Sequence, residues 1–160
     1  MKAKSGFTLV EILIVVVILG ILAAIVIPQF TSASTEAKES ALVSDLQALR
    51  SQIELYKIHH NDLLPGTTTG VDFTQAMTEK TNQDGELDPG GGDPAIYRFG
   101  PYMRDIPINP FNDLNTVECD GTAGDDSHGW NFVTTGVEAG LYQPDDSGIN
   151  AVSDVAHIDY

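Results

Sequence analysis

Residues 6–30, GFTLVEILIVVVILGILAAIVIPQF, decide the fold of this chain. Every residue from 12 to 27 is apolar or glycine. As a helix, residues 7–27 would extend roughly 31 Å, which matches the hydrocarbon core of a bilayer, about 30 Å thick. Lys2 and Lys4 precede the apolar run, and we expect them to hold the N-terminus on the cytoplasmic side. The sequence therefore predicts one membrane-spanning helix, with the rest of the chain translocated.

Three interpretations of this segment differ in how they treat Glu11. A secretory signal peptide has similar opening lysines and a small-residue cleavage site, which Ala23 and Ala24 could provide. A plain membrane anchor also fits the apolar run. Neither explains Glu11, because a carboxylate inside the membrane costs about 2.5–3.5 kcal/mol and is usually functional where it occurs. The third interpretation gives this carboxylate a role.

Gly6, Phe7 and Glu11 lie between a short basic leader and the apolar run, an arrangement that resembles the processing site of type IV prepilins and type II secretion pseudopilins. The resemblance implies that a prepilin peptidase removes residues 1–6 by cutting after Gly6, and then N-methylates Phe7. It also implies that Glu11 pairs with the Phe7 amine of a neighbouring subunit in a homo-oligomeric helical filament. Pairing would relieve the energy of an unpaired carboxylate in an apolar fibre core.

Gly20 and Pro28 are the weak points of the predicted helix. A glycine costs about 1 kcal/mol in a helix interior, and a proline removes a backbone hydrogen bond and bends the helix. One interpretation is the irregularity that membrane helices often tolerate. The sharper hypothesis is local unwinding between Gly20 and Pro28 when the helix leaves the bilayer for the fibre.

After the membrane segment, residues 7–30, the pattern becomes that of an amphipathic helix over residues 31–62. Its apolar stripe recurs at spacings of three and four: Leu42, Leu46, Leu49, Ile53 and Tyr56. Residues 63–160 are expected to form a globular head with a long loop, a short helix at 73–80, and a β-hairpin from 130–134 and 140–142. The predicted class is α+β, a long N-terminal helix packed on a small antiparallel sheet, as in the pilin fold.

The segment IPINPF at 106–111, ahead of a Gly-Trp strand, resembles the C-terminal region of the major pseudopilin of type II secretion. That resemblance implies a calcium ion in the C-terminal loop, with oxygen ligands from carboxylates and carbonyls. The candidate ligands are Asp125, Asp126, Asp145 and Asp146. Acids simply solvated in a loop are the alternative, and no EF-hand spacing selects among them.

The net charge of −15 belongs entirely to the C-terminal part, because residues 59–160 carry 18 acids and three bases while the first 58 residues balance. A surface this acidic repels nucleic acid and anionic lipid, and it favours solubility outside the cell. Cys119 is the single cysteine, which excludes an internal disulfide and a site of several thiolates. The sequence shows no nucleophile–base pair, metal spacing or phosphate loop that would indicate an enzyme.

The resemblance implies that the chain is a structural subunit, without catalysis, of a type II secretion pseudopilus that polymerises to drive protein export. The resemblance implies further partners, namely an inner-membrane assembly platform and minor pseudopilins. It places the head in the periplasm and the filament in the envelope or at the cell surface. The alternative is a type IV pilin that forms long surface pili, and an enzyme or binding protein anchored by the helix is a third class. The lack of a disulfide favours the pseudopilin, because many pilins close a C-terminal loop with one.

Overall fold

A computed structural model describes residues 7–121, 123–148 and 156–159. Its longest element is helix α1, Leu9–His59, which is continuous and contains Pro28. The chain divides into two compact units, the first ending at Ala37 and the second beginning at Lys38. Helix α1 therefore contributes its apolar first part to one unit and its amphipathic second part to the other.

The core of the second unit forms on one face of α1. All five residues of the predicted stripe are buried: Leu42, Leu46, Leu49, Ile53 and Tyr56. They share this core with aromatic side chains from the rest of the head: Phe73, Trp130, Phe132 and Tyr142. Spacings of three and four place the stripe on one side of the helix, so the predicted amphipathic pattern is confirmed.

Three short strands form one sheet in the order β1 (Val117–Cys119), β2 (Trp130–Phe132) and β3 (Tyr142–Pro144). Strands β2 and β3 pair antiparallel, which confirms the predicted hairpin. Strands β1 and β2 pair parallel, so the sheet is mixed and the expectation of a wholly antiparallel sheet was wrong in this detail. The connection at 120–129 returns the chain to the same end of the sheet, as a parallel pair requires, whereas a tight turn would have made a second hairpin.

The second helix, α2, spans Phe73–Thr78 and lies where the sequence predicted a short helix. Asp72 and Gln75 start it with a capping box, in which each side chain accepts a hydrogen bond from the backbone N–H of the other residue. Its inward face buries Phe73, Ala76 and Met77. A short 3-10 helix, His157–Asp159, is the last described element.

Helix α1 ends a few residues earlier than expected, at His59 instead of residue 62. Asn61 and Asp62 both adopt left-handed backbone conformations, with φ of 53° and 64°. Asparagine and aspartate enter this region more readily than most residues, and it commonly ends helices. The resulting fold is α+β, with the second part of α1 packed on a small sheet, as predicted.

Candidate functional sites

Thr8 and Glu11 begin α1 with reciprocal hydrogen bonds. The Thr8 amide donates to Glu11 Oε2 at 2.8 Å, and the Glu11 amide donates to Thr8 Oγ1 at 3.2 Å. The Thr8 hydroxyl also donates to Glu11 Oε2, at 2.8 Å. This capping box satisfies two N–H groups that a helix N-terminus otherwise leaves without partners. It holds the Glu11 carboxylate against the first turn of the helix.

The same geometry leaves Glu11 accessible to a second molecule. Its side chain is exposed, and both Thr8 contacts fall on Oε2. Residues 7–121, 123–148 and 156–159 include no partner for Oε1. Phe7, the expected mature N-terminus, is 83% exposed, while Gly6 lies outside the described residues. Phe7 and Glu11 are therefore both available at one end of α1.

The first part of α1 is apolar on all sides, and none of the residues that the structure describes buries it. No residue from 7 to 34 is buried, although most of the side chains up to residue 30 are large and hydrophobic. By length and composition, α1 could cross a membrane. A helix that is apolar all round is normally buried in lipid or in other protein. The length and apolar character of this surface therefore suit contact with lipid or with another protein surface.

The predicted weak points, Gly20 and Pro28, lie inside an uninterrupted stretch of α1. Pro28 has no N–H to donate to the carbonyl of Ala24, so one backbone hydrogen bond is missing there. The Thr31 hydroxyl donates to the Ile27 carbonyl at 3.2 Å, a local bond that often accompanies bending of a helix. Unwinding of this stretch in a fibre stays a prediction.

In the head, the fully buried carboxylate of Asp145 binds the loop between β1 and β2. Its Oδ1 accepts from the amides of Gly124 at 2.7 Å and Asp125 at 3.3 Å. Its Oδ2 accepts from the His128 amide at 2.8 Å and the Ser127 hydroxyl at 3.5 Å. Four donors from one loop thus converge on a single carboxylate that follows β3.

The neighbouring carboxylate of Asp146 binds two distant parts of the head. Its Oδ2 accepts from Asn109 Nδ2 at 2.9 Å, and the same amide donates to the Gly129 carbonyl. Its Oδ1 accepts from the Gly148 amide at 2.9 Å and lies 2.5 Å from His157 Nδ1. The side chains of Asp146 and His157 are 2% and 0% exposed, so this pair is shielded from water.

The remaining two calcium candidates are exposed. Hydrogen bonds from the side chain and amide of Ser127 lower the pKa of Asp125, and the Asp126 carboxylate accepts from the amide and hydroxyl of Ser147. Across the described ranges, no three His, Cys, Asp or Glu side chains are grouped so that they could hold a metal ion. Calcium takes six to eight oxygen ligands. The four predicted acids form two pairs of adjacent residues, and each carboxylate accepts a hydrogen bond from a protein donor. As the described residues are arranged, the four acids do not fit a calcium site.

Cys119 does not have the environment of a reactive cysteine. Desolvation raises the pKa of its thiol, and the carboxylates of Asp120, Asp72 and Glu118 raise it further. The nucleophilic form of cysteine is the thiolate. At neutral pH the Cys119 thiol is therefore protonated and weakly nucleophilic.

Three residues of these sites were missed from the sequence: Thr8, Asn109 and His157. A Thr-x-x-Glu pattern before an apolar run is a capping-box signature, so Thr8 could have been identified. Asn109 and His157 are separated from Asp146 by 37 and 11 positions. No local pattern links residues so far apart, so only the fold brings these two to Asp146.

Comparisons with known proteins match the N-terminal segment by itself and also most of the chain. Residues 1–27 match the family model for the prokaryotic N-terminal methylation motif. The chain is 33% identical over 147 residues to type II secretion system core protein G of Aeromonas hydrophila, covering 82% of this chain and 95% of that protein. It is 31% identical over 151 residues to the protein of the same name from Vibrio cholerae, again covering 82% and 95%. A fimbrial protein of Pseudomonas aeruginosa is 37% identical over 86 residues, covering 53% of this chain and 56% of that protein. No solved structure matches the chain significantly.

Proposed function

The chain belongs to the family of type II secretion system core protein G, and on that premise we propose that it is a structural subunit of a pseudopilus, a pilin-like filament whose growth drives protein export. The observation that carries the proposal is the first part of α1, where an apolar surface that no described residue buries begins at Phe7 and Glu11. Packing against the same helix of other subunits would bury this surface. The role is structural and requires no catalytic residue.

Processing is the first step of the proposed function. The methylation motif spans the leader and most of the apolar segment, which supports cleavage between Gly6 and Phe7 by a prepilin peptidase. Cleavage creates an amine on Phe7, and a methylated amine keeps its positive charge. The step converts a neutral peptide group into a cation at the exposed end of α1.

Assembly then uses the charge that cleavage creates. In the filament, the Phe7 amine of one subunit pairs with Glu11 of its neighbour, at the oxygen that Thr8 does not contact. An opposite charge within reach relieves the desolvation of both groups in an apolar environment. A subunit placed out of register would leave both charges unpaired, so the pair sets the axial step.

The proposed location follows from the same helix and from the family. The apolar part of α1 crosses the inner membrane once, with Lys2 and Lys4 in the cytoplasm and the acidic head in the periplasm. An assembly platform in the inner membrane and minor pseudopilins are the proposed partners, besides the peptidase. Movement from bilayer to fibre unwinds α1 between Gly20 and Pro28.

A type IV pilin that forms long surface pili is the second candidate. The observation in its favour is the similarity to a fimbrial protein, which covers about half of each chain. The relatives named core protein G match more of this chain and most of their own length. The pseudopilus is therefore the first choice.

Glu11→Gln tests the assembly step, because glutamine can take the place of glutamate in a capping box but carries no charge. We expect filament yield in the native host to fall at least about tenfold, which corresponds to a lost interaction of about 1.4 kcal/mol. Crosslinking in the envelope followed by immunoblotting measures the yield. The amount of processed monomer in the membrane should not change.

Glu36→Gln is the matched control, since Glu36 is an exposed acid on the same helix. It should assemble like the wild type. Normal filament yield from Glu11→Gln would refute the charge pairing. A loss of processed Glu11→Gln monomer would instead assign the defect to the peptidase step.

A further inference from the structure

The carboxylates of Asp145 and Asp146 have little capacity left for a metal ion. An ionised carboxylate offers about four lone-pair sites on its two oxygens. Asp145 uses them on four donors, two at each oxygen. Asp146 accepts from three, and its Oδ1 has both the Gly148 amide and His157 Nδ1 within 2.9 Å. The lone pairs that a calcium ion would need are directed at protein donors.

His157 occupies the position where a cation would neutralise Asp146. Its Nδ1 is 2.5 Å from Asp146 Oδ1, and both side chains are buried. Its ring packs against Phe111 with centroids 4.1 Å apart, which fixes its orientation. A hydrogen bond in which a partner is ionised is shorter and stronger than one between neutral groups. The pair ties the last described segment of the chain to the end of β3.

We propose that Asn109, Asp145, Asp146 and His157, here named the C-terminal clasp, close the head with protein donors in place of the calcium ion that the family resemblance implies. The clasp joins three segments that are distant in sequence: the 106–111 segment through Asn109, the β1–β2 loop through Asp145, and the C-terminal segment through His157. His157 is a positioning residue that supplies the N–H which holds Asp146. The head is therefore stable without a metal. This inference concerns the head alone and does not depend on filament assembly.

Thermal unfolding of the full chain in detergent, with millimolar calcium or with the chelator EGTA, tests the clasp. Trp130 is the chain's single tryptophan and is fully buried. It directly follows Gly129, whose carbonyl accepts a hydrogen bond from Asn109. The fluorescence of Trp130 therefore reports on this region. Millimolar calcium reaches even weak extracellular sites, whose Kd is about 10⁻⁴–10⁻³ M. We expect the same Tm in both buffers, whereas millimolar calcium bound at a site of this affinity would raise it by roughly 2–8 °C.

Two variants test the clasp residues directly. His157→Gln removes the ring whose Nδ1 lies against Asp146, and Asp146→Asn removes the carboxylate that His157, Asn109 and Gly148 contact. We expect each to lower the Tm by roughly 5–10 °C, equally with calcium and with EGTA. The control is Glu138→Gln, an exposed acid between β2 and β3, which should shift the Tm by no more than about 2 °C.

Two results would overturn the proposal. The first is a wild-type Tm that falls on chelation, together with an Asp146→Asn Tm that does not. This result would identify a metal site. The second is an unchanged Tm in His157→Gln, which would show that His157 does not hold Asp146. If Asp146→Asn does not fold, the chelation test on the wild type and the His157→Gln variant still decide the question.

Discussion

The two parts of α1 contain the same kinds of apolar residue in opposite environments. Leu19, in the first part, is 58% exposed, whereas Leu49, in the second, is completely buried. The second part packs on the head's own aromatic side chains, while nothing described in the chain covers the first. One helix thus serves two purposes. Its second part stabilises the head, and its first part is an apolar surface that we propose is buried by lipid and then by other subunits.

The acidic groups of the two regions differ in the same way. Asp145 and Asp146 are buried in the head, and donors of the same chain surround them. Glu11 is exposed, and its described contacts are those with Thr8 in the capping box. A carboxylate that enters an apolar environment needs a partner. The head supplies its own partners, and we propose that Glu11 finds its partner on a neighbouring subunit.

The largest expected effect is the difference in stability between leucine truncations in the two parts of α1. Leu49→Ala leaves a cavity in the core of the head, so we expect the free energy of unfolding to fall by about 2–5 kcal/mol. Leu19→Ala removes no contact within the head, and its effect should be within about 0.5 kcal/mol. Trp130 fluorescence during denaturant unfolding of the detergent-solubilised chain measures both values.

Equal destabilisation by the two substitutions would contradict the division of α1 into a core part and an assembly part. Filament yield should respond to Leu19→Ala even though the stability of the head does not. The substitution should lower the yield, because the Leu19 side chain is buried only by other molecules in the proposed filament.

A smaller effect should appear with pH and belongs to the head alone. His60 is buried, with Nδ1 2.8 Å from the Tyr56 carbonyl and Nε2 2.9 Å from Thr81 Oγ1. A neutral ring that donates from Nδ1 and accepts from Thr81 satisfies both contacts. Burial lowers the pKa of His60 from its usual 6.5, outweighing the bond to Tyr56, and nearby His59 lowers it further.

Because unfolded His60 binds a proton more readily than folded His60, its contribution to stability is present above pH 6.5 and is lost as the pH falls below that value. We expect the Tm of the wild type to fall by a few degrees in this range, and that of His60→Gln to fall less. Asp120 and Asp125 also have lowered pKa values, but their contribution is lost only below their usual 3.8. Identical pH profiles for the two proteins would refute the assignment to His60.

Periodicity made the helical elements and the core predictable from the sequence. The apolar stripe that begins with Leu42 and Leu46 is visible within a short stretch of sequence. The same is true of the turn between β2 and β3 and of the short helix α2. The parallel pairing of β1 with β2 was not predictable in this way, because three-residue strands carry no register signal and the loop between them decides their direction.

The two candidate sites differ in how far the sequence identifies them. Phe7 and Glu11 belong to one contiguous motif, so the sequence alone brings them together. The surroundings of Asp145 and Asp146 depend on Asn109 and His157, which are far away along the chain. The family resemblance implied a calcium site built from the acid clusters, whereas the folded chain directs N–H donors at Asp145 and Asp146. The identity of the donors is a property of the fold and not of the local sequence.

Mass spectrometry of the N-terminal peptide from the native host tests the central claim most directly. Cell envelopes and sheared surface material are analysed separately. We predict a peptide that begins at methylated Phe7 and is confined to the envelope, as expected for a processed pseudopilus subunit. The same peptide abundant in the sheared fraction would favour the surface pilus, and an uncut Met1 terminus in both fractions would contradict the account of a processed filament subunit.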